Sequence, residues 1–243
     1  MVTPLVRCNV PSDWTADFSQ CLYEWQSLET GAFAVLAALI GYLAIRLQIR
    51  HADKLENKRL MRLHRAKRFV LPLTLSTATH YANEVIRSLS EASAILRSTP
   101  NGRLSGHWSP PVFPSEIPVS LGEFVETSDV ETVNALVSEL LRQIQILNAR
   151  LVSLIADEDV FRLGINMNIA EYQLQAAKIR QLCGALFPYA RGQSEDVPTE
   201  LERGPVVSSL RFNGTAAPDD DFESVIERFQ SVGKPWWTAN DDR

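Results

Sequence analysis

The sequence predicts an all-α fold. It reads as a single transmembrane helix extended into a basic juxtamembrane helix, then a cytoplasmic three-helix bundle and a largely disordered tail. Three observations predict this. One run, 30–45, carries no charge and no polar stripe. Three later segments repeat apolar residues at alternating four- and three-residue spacing. No segment alternates with the two-residue period of a strand. A net charge of −5 over 243 residues, with a mean hydropathy of −0.08, leaves room for one or two spans in a mostly polar chain.

Residues 1–27 form a short N-terminal segment; before the uncharged run one basic residue, Arg7, stands against Asp13, Asp17, Glu24 and Glu29. That charge balance excludes a secretory leader, which needs its positive charge before the apolar run. The run itself, read as a span over 28–47, presents Phe33, Val35, Leu36, Leu39, Ile40, Leu43 and Ile45 around the whole cylinder. A helix apolar on every side belongs in lipid or deep in a large core, and a chain of this size offers no such core. Trp25 supplies an interfacial aromatic, and Arg46 reaches back to the interface from the other end. The seven large apolar side chains contribute about −2 to −4 kcal/mol to insertion, and the length suffices only when Leu28 and Leu47 are counted. Ala34, Ala37, Gly41 and Ala44 share one face at helical spacing, the pattern that lets two spans approach, so a homodimer is one expected assembly.

Orientation follows from the basic residues. Arg46, Arg50, Lys54, Lys58, Arg59, Arg62, Arg65, Lys67 and Arg68 all follow the span. Positive charge stays on the cytoplasmic side, which places the N-terminus in the periplasm and the C-terminus in the cytoplasm of an inner-membrane protein. The same nine residues are the expected contact surface for anionic lipid headgroups. A nucleic-acid surface over 54–68 is the weaker alternative. Cys8 and Cys21 then lie on the oxidising side, where pairing between them is open, and Cys183 lies on the reducing side.

The bundle is expected within 48–190. Its first seam is Leu71, Leu75, Ala78, Ala82, Val85, Leu89, Ala92 and Leu96, with Pro72 marking a kink or a first turn. The second is Val130, Val133, Val137, Leu140, Ile144, Leu147, Leu151 and Leu154, headed by a capping box of Ser128 and Glu131. The third is Ile165, Ile169, Tyr172, Ala176, Ile179, Cys183 and Leu186, with Pro188 expected to end it. This coiled-coil-like spacing packs helices nearly along one another, and flanking apolar residues such as Leu136, Leu141, Leu174 and Leu182 widen the stripes toward a globular bundle. The short connection 157–164 makes the second and third helices an antiparallel hairpin. The connection 99–127 holds Pro100, Pro110, Pro111, Pro114 and Pro118, and predicts an extended strap or a disordered loop.

Residues 191–243 read as a flexible acidic tail, with a linker over 192–218 and a short amphipathic helix over 221–232. Phe222, Ile226 and Phe229 on that helix, with Trp236 and Trp237 beyond it, are candidate contacts for an unknown protein partner, or for the chain's own bundle.

No catalytic constellation is found. His51, His64, His80 and His107 lack partners at metal-ligand spacing, and no HExxH, CxxC, GxSxG or phosphate-cradling glycine loop occurs. His80 and Glu84 share a helical face, a pairing more often structural than catalytic. Asp157, Glu158 and Asp159 lack the glycine and closing glutamate of a calcium loop. The Asn213 sequon falls on the wrong side of the membrane for glycosylation. The sequence therefore predicts no catalytic, cofactor-binding or metal-binding residue and no cofactor. It predicts a membrane-anchored protein that works by interaction, as a scaffold or regulatory partner.

One resemblance supports the topology. "EWQSLETGAFAVLAALIGYLAIRLQI" followed by "HRAKRFVLPLTLS" resembles uncharacterised single-pass membrane proteins of proteobacteria, over roughly the first third of the chain. What it implies is a topology: an EWQ-type interfacial start, an Ala-rich span and a basic helix leading to a proline. It implies no activity.

Overall fold

The computed structural model describes residues 14–98, 104, 108–156, 165–212 and 220–239, with the backbone alone at 14–29, 155–156 and 165–166. Among these residues are six helices and two very short strands. Helix α1 (Trp14–Ser98) is 85 residues long and contains one stretch long and apolar enough to cross a membrane, an 18-residue window of mean hydropathy 1.9. The chain divides into two compact units, Met1–Arg59 and Leu60–Arg243. In the first, every described side chain from Thr30 onward is exposed, including Phe33 at 69% and Ile40 at 66%.

The second unit is built on the predicted seams. From α1 it buries Leu71, Leu75, Ala78, Ala82, Val85 and Leu89. From α3 (Glu131–Ala156) it buries Val133, Val137, Leu140, Ile144, Leu147 and Leu151. From α4 (Ile165–Ala190) it buries Ile169, Ala176, Ile179, Cys183 and Leu186. All belong to one hydrophobic core. Polar side chains fix the register of these helices. The Gln173 amide donates to Ser90 Oγ at 2.9 Å, and the Gln175 amide donates to the Gln143 carbonyl at 3.1 Å. Each bond satisfies a buried amide that would otherwise cost about 1–3 kcal/mol.

Three expectations are corrected. The first concerns the prolines inside helices. Pro188 does not end α4, which continues to Ala190, and Pro72 lies inside α1 without ending it. Each removes one backbone donor, a cost that the surrounding core offsets.

The second concerns the proline-rich connection. It contains α2 (Glu116–Val125), with Ile117, Leu121 and Phe124 buried at four- and three-residue spacing. Pro118 sits in the first turn, where no intrahelical N–H bond is lost. Ahead of α2, residues 108–114 have no regular secondary structure. Trp108 Nε1 donates to the Ser88 carbonyl at 2.8 Å, and Phe113 meets the Tyr81 ring edge-on at 5.7 Å.

The third concerns the tail. The described part of 191–243 is folded. It forms β1 (Glu200–Leu201), α5 (Arg203–Phe212), α6 (Asp220–Ser231) and β2 (Trp237–Thr238). The strands pair antiparallel, Glu200 with Thr238 and Leu201 with Trp237. Val206, Val207 and Leu210 of α5 and Val225 and Ile226 of α6 join the common core, where α5 and α6 both pack on α4. Composition suggested a linker, but a few apolar residues at helical spacing outweigh a polar average. The predicted amphipathic helix 221–232 agrees with α6 to within a residue.

At the start of α3 the predicted capping serine makes two short-range bonds. Ser128 Oγ accepts the N–H of Val130 at 3.4 Å, and the Asn134 amide donates to the Ser128 carbonyl at 2.9 Å. The serine therefore orders the turn before the helix through Val130 and Asn134.

Candidate functional site

The basic stretch of α1 divides into two chemical settings. Arg46, Arg50, Lys54, Lys58, Arg59, Arg62 and Arg65 are exposed. One carboxylate approaches within this group, with Glu56 3.7 Å from Arg59. Lys67 and Arg68 are half-buried and engaged within the protein. Lys67 pairs with Glu123 of α2. Arg68 bonds to three residues, Tyr189, Ser194 and Glu195.

The geometry around Arg68 begins at the end of α4. Gly192 adopts φ of 70°, a left-handed conformation that costs a glycine little, and its N–H bonds to the Tyr189 carbonyl at 3.0 Å. That reversal brings Ser194 and Glu195 back toward α1. Arg68 Nε donates to the Tyr189 carbonyl at 2.8 Å, and Nη2 donates to the Ser194 carbonyl at 3.0 Å. Nη1 donates to both Glu195 oxygens, at 3.1 and 2.9 Å. The guanidinium also lies over the Tyr189 ring, 4.1 Å from its centroid. One planar cation thus gathers a helix end, a turn and a carboxylate, a task suited to arginine's fork of donors.

The surroundings complete the cluster. His64, one turn earlier on α1, places Nε2 3.1 Å from the Tyr189 hydroxyl and its ring 5.4 Å from that of Phe124. Phe124 meets Tyr189 edge-on at 6.3 Å. Burial raises the Tyr189 hydroxyl above its ordinary pKa, with Arg68 opposing. The hydrogen bonds and charge of Arg68 hold the Glu195 carboxyl below its ordinary value. A neutral phenol and an ionised carboxylate around a permanent cation make a structural clamp rather than an acid–base pair.

The remaining predicted residues fall as follows. Ala34, Ala37, Gly41 and Ala44 are exposed, so no described side chain covers that stripe. Cys8 lies outside the described residues, as does the side chain of Cys21. Phe222, Ile226 and Phe229 are buried against the chain's own core, and Trp236 and Trp237 are half-buried against it. Of the two expected roles, partner contact or docking on the chain's own bundle, these positions take the second in this structure. His80 Nε2 lies 3.2 Å from Glu84 Oε1 as an exposed helical pair. His107, Asp157, Glu158, Asp159 and Asn213 lie outside the described residues. Among the described residues no three His, Cys, Asp or Glu side chains gather closely enough to hold a metal ion.

Sequence reasoning missed His64, Tyr189 and Glu195 as a group. Tyr189 lies 121 residues from Arg68, beyond any linear motif. The one available signal was the first seam extended backward. Positions 64 and 68 continue the alternating rhythm of Leu71 and Leu75, so both turn toward the core.

Comparison with known families, curated proteins and solved structures finds no match.

Proposed function

We propose that this chain is a single-pass inner-membrane protein with a periplasmic N-terminus, and that it acts through interaction at the cytoplasmic face as a scaffold or regulatory partner. The observation that carries the reading is the apolar surface over 30–49. Its large side chains are exposed all round, Val35 at 61% and Leu43 at 54% among them. An exposed apolar cylinder of this length is stable in lipid and costly in water. Supporting it are the seven exposed cations that follow on the same helix, placed to meet anionic headgroups. The helical core of the second unit is then the cytoplasmic bundle, and the packed C-terminal elements belong to it. A nucleic-acid surface over 54–68 is less well supported, because Lys67 and Arg68 are already spent on Glu123 and Glu195.

Alkaline carbonate extraction tests the anchor: the protein stays in the pellet if 28–47 spans the bilayer, and release into the supernatant removes the reading. Phosphatase fusions test the orientation, with an inactive fusion at Arg243 and an active one near Asp13 expected. Crosslinking in the native membrane followed by mass spectrometry tests the interaction role.

A further inference from the structure

A second site lies on the opposite chemical footing from the rest of this acidic chain. Between α3, α4 and α6 runs an open cleft of about 490 Å³. Arg142, Arg150, Lys178, Arg203 and Arg228 line it, with Glu171 as the sole lining carboxylate. Pairing accounts for two of the five cations. Arg142 forms a fork with Glu139 at 2.7 and 2.8 Å, and Arg228 pairs with Glu171.

Among the described residues the other three make their printed contacts with neutral groups. Arg150 donates to the neutral Gln175 amide oxygen at 2.9 Å. Arg203 donates to the carbonyls of Lys234 and Phe229, at 2.7 and 2.9 Å. Lys178 rests against aromatic faces, 5.0 Å from the Phe229 centroid and 5.4 Å from that of Trp236. Burial, and then the nearby Arg203, depresses the Lys178 pKa, with Glu139 opposing. Lys178 is partly desolvated beside cations of its own sign, a net cost that a bound anion offsets, while Arg203 is half-buried and Arg150 exposed. Leu174, Val225 and Val232 give the same cleft apolar walls. Its volume falls in the ordinary range of small-molecule sites, about 300–1,000 Å³.

We propose that this cleft binds a small phosphate-bearing anion of two to three negative charges, with Lys178 at its centre and Arg150 and Arg203 flanking it. Guanidinium forks and an ammonium are the donors that phosphate oxygens take best, and phosphates carry enough charge to balance three cations. The apolar walls accept an organic moiety joined to the phosphate. That moiety belongs either to a soluble metabolite or to a lipid. The proposal is independent of the membrane anchor.

Titration of inorganic pyrophosphate into the full-length chain in zwitterionic nanodiscs tests it, read by calorimetry and by the fluorescence of the tryptophans, Trp236 lying beside Lys178. Saturable binding of about one equivalent is expected, weakened about tenfold or more in Lys178→Gln and in Arg150→Gln. Lys178→Arg retains binding, and Arg87→Gln, on an exposed turn of α1, leaves it unchanged. Circular dichroism and urea melts establish that each variant is folded. A parallel titration with monomeric dihexanoyl phosphatidate separates the sources: tighter binding than pyrophosphate indicates a lipid headgroup, weaker binding a soluble phosphate. Failure of both probes to saturate, or equal affinity of the wild type and folded Lys178→Gln, overturns the proposal.

Discussion

Arg68 lies over the ring of Tyr189, 4.1 Å from its centroid, and donates a 2.8 Å hydrogen bond to that residue's own carbonyl. Stacking and hydrogen bonding to one residue fix both the plane and the direction of the guanidinium. Pro72 stands four residues beyond Arg68 and offers no N–H to the Arg68 carbonyl, so α1 lacks one of its own bonds at this position. The clamp supplies tertiary bonds where the helix ladder is interrupted. Replacing Arg68 with alanine removes the stack and the charge-assisted bonds together, and is expected to cost about 2–3 kcal/mol of stability. Arg68→Lys recovers less than half of this, because an ammonium has no planar fork. Urea denaturation of the purified full-length chain measures both, and a lysine variant as stable as the wild type contradicts the clamp.

The clamp also predicts an acid-sensitive contribution. Arg68 holds the Glu195 carboxyl below its ordinary value of 4.5. Near that value the unfolded chain binds more protons than the folded one, so stability falls as pH decreases. The contribution is present above pH 4.5 and is lost as pH falls through the depressed folded value. Glu195→Gln removes this dependence together with the neutral-pH contribution behind it, which is small because the carboxylate is exposed. The check is the difference between wild-type and variant urea midpoints across acidic pH. A constant difference from neutral pH down through the carboxylate range refutes the linkage.

Cys183 gives a prediction of the opposite sign. It is fully buried in the core, and burial pushes its thiol up to about 12 from an ordinary value of 9.0. The thiolate is the reactive form, and at pH 8 roughly one thiol in ten thousand is ionised at such a value. Native Cys183 is expected to resist maleimide until the domain opens, then to react rapidly in urea. Peptide mass spectrometry after labelling separates it from Cys8 and Cys21. Rapid labelling of Cys183 in the native chain contradicts its placement. Above pH 9.0 the unfolded thiol ionises before the folded one, so this cysteine contributes a loss of stability as pH rises toward 12.

The C-terminal elements were open to two readings, partner contact or self-docking, and mutation separates them. Ile226 is 1% exposed and Phe222 5%. If α6 belongs to the core, Ile226→Ala costs about 2–4 kcal/mol through lost burial and a residual cavity. A face kept for another protein gives a variant of unchanged stability. The urea midpoint of Ile226→Ala decides, with Ser231→Ala, at the exposed end of the same helix, as the control that leaves it unmoved.

The legibility of the sequence depended on how local each cause was. The three seams were readable because a helix repeats its buried positions every three to four residues, whatever packs on them. Helix α2 carried the same rhythm in Ile117, Leu121 and Phe124, but the surrounding prolines concealed it, and only the position of Pro118 in the first turn resolves the conflict. The folded C-terminal region was lost to averaging, since Val206, Val207 and Leu210 are few among polar neighbours. The two cationic sites were less accessible still. Arg68 read as one charge in a basic run until its phase with Leu71 and Leu75 turned it inward. Lys178 and Arg203 come together only through the packing of α4 with the start of α5.

The exposed apolar stretch of α1 yields the most decisive test of the anchor. Leu39 lies near its middle and is 53% exposed. A central leucine favours insertion by about 0.3–0.6 kcal/mol, and a central arginine opposes it by about 2.5–3.5 kcal/mol. Leu39→Arg therefore shifts insertion by about 3–4 kcal/mol, comparable with the whole favourable contribution of the seven large apolar side chains. Because the span is barely long enough, its margin is small, and this single change is expected to move much of the protein from the carbonate-resistant pellet to the supernatant. Leu39→Ile, which keeps the hydrophobicity, stays in the pellet. The core of Leu60–Arg243 contains no residue of this stretch, so the urea midpoint of the solubilised protein is expected to be unaffected by Leu39→Arg. A loss of folding stability with no change in membrane retention assigns Leu39 to a protein core and removes the anchor.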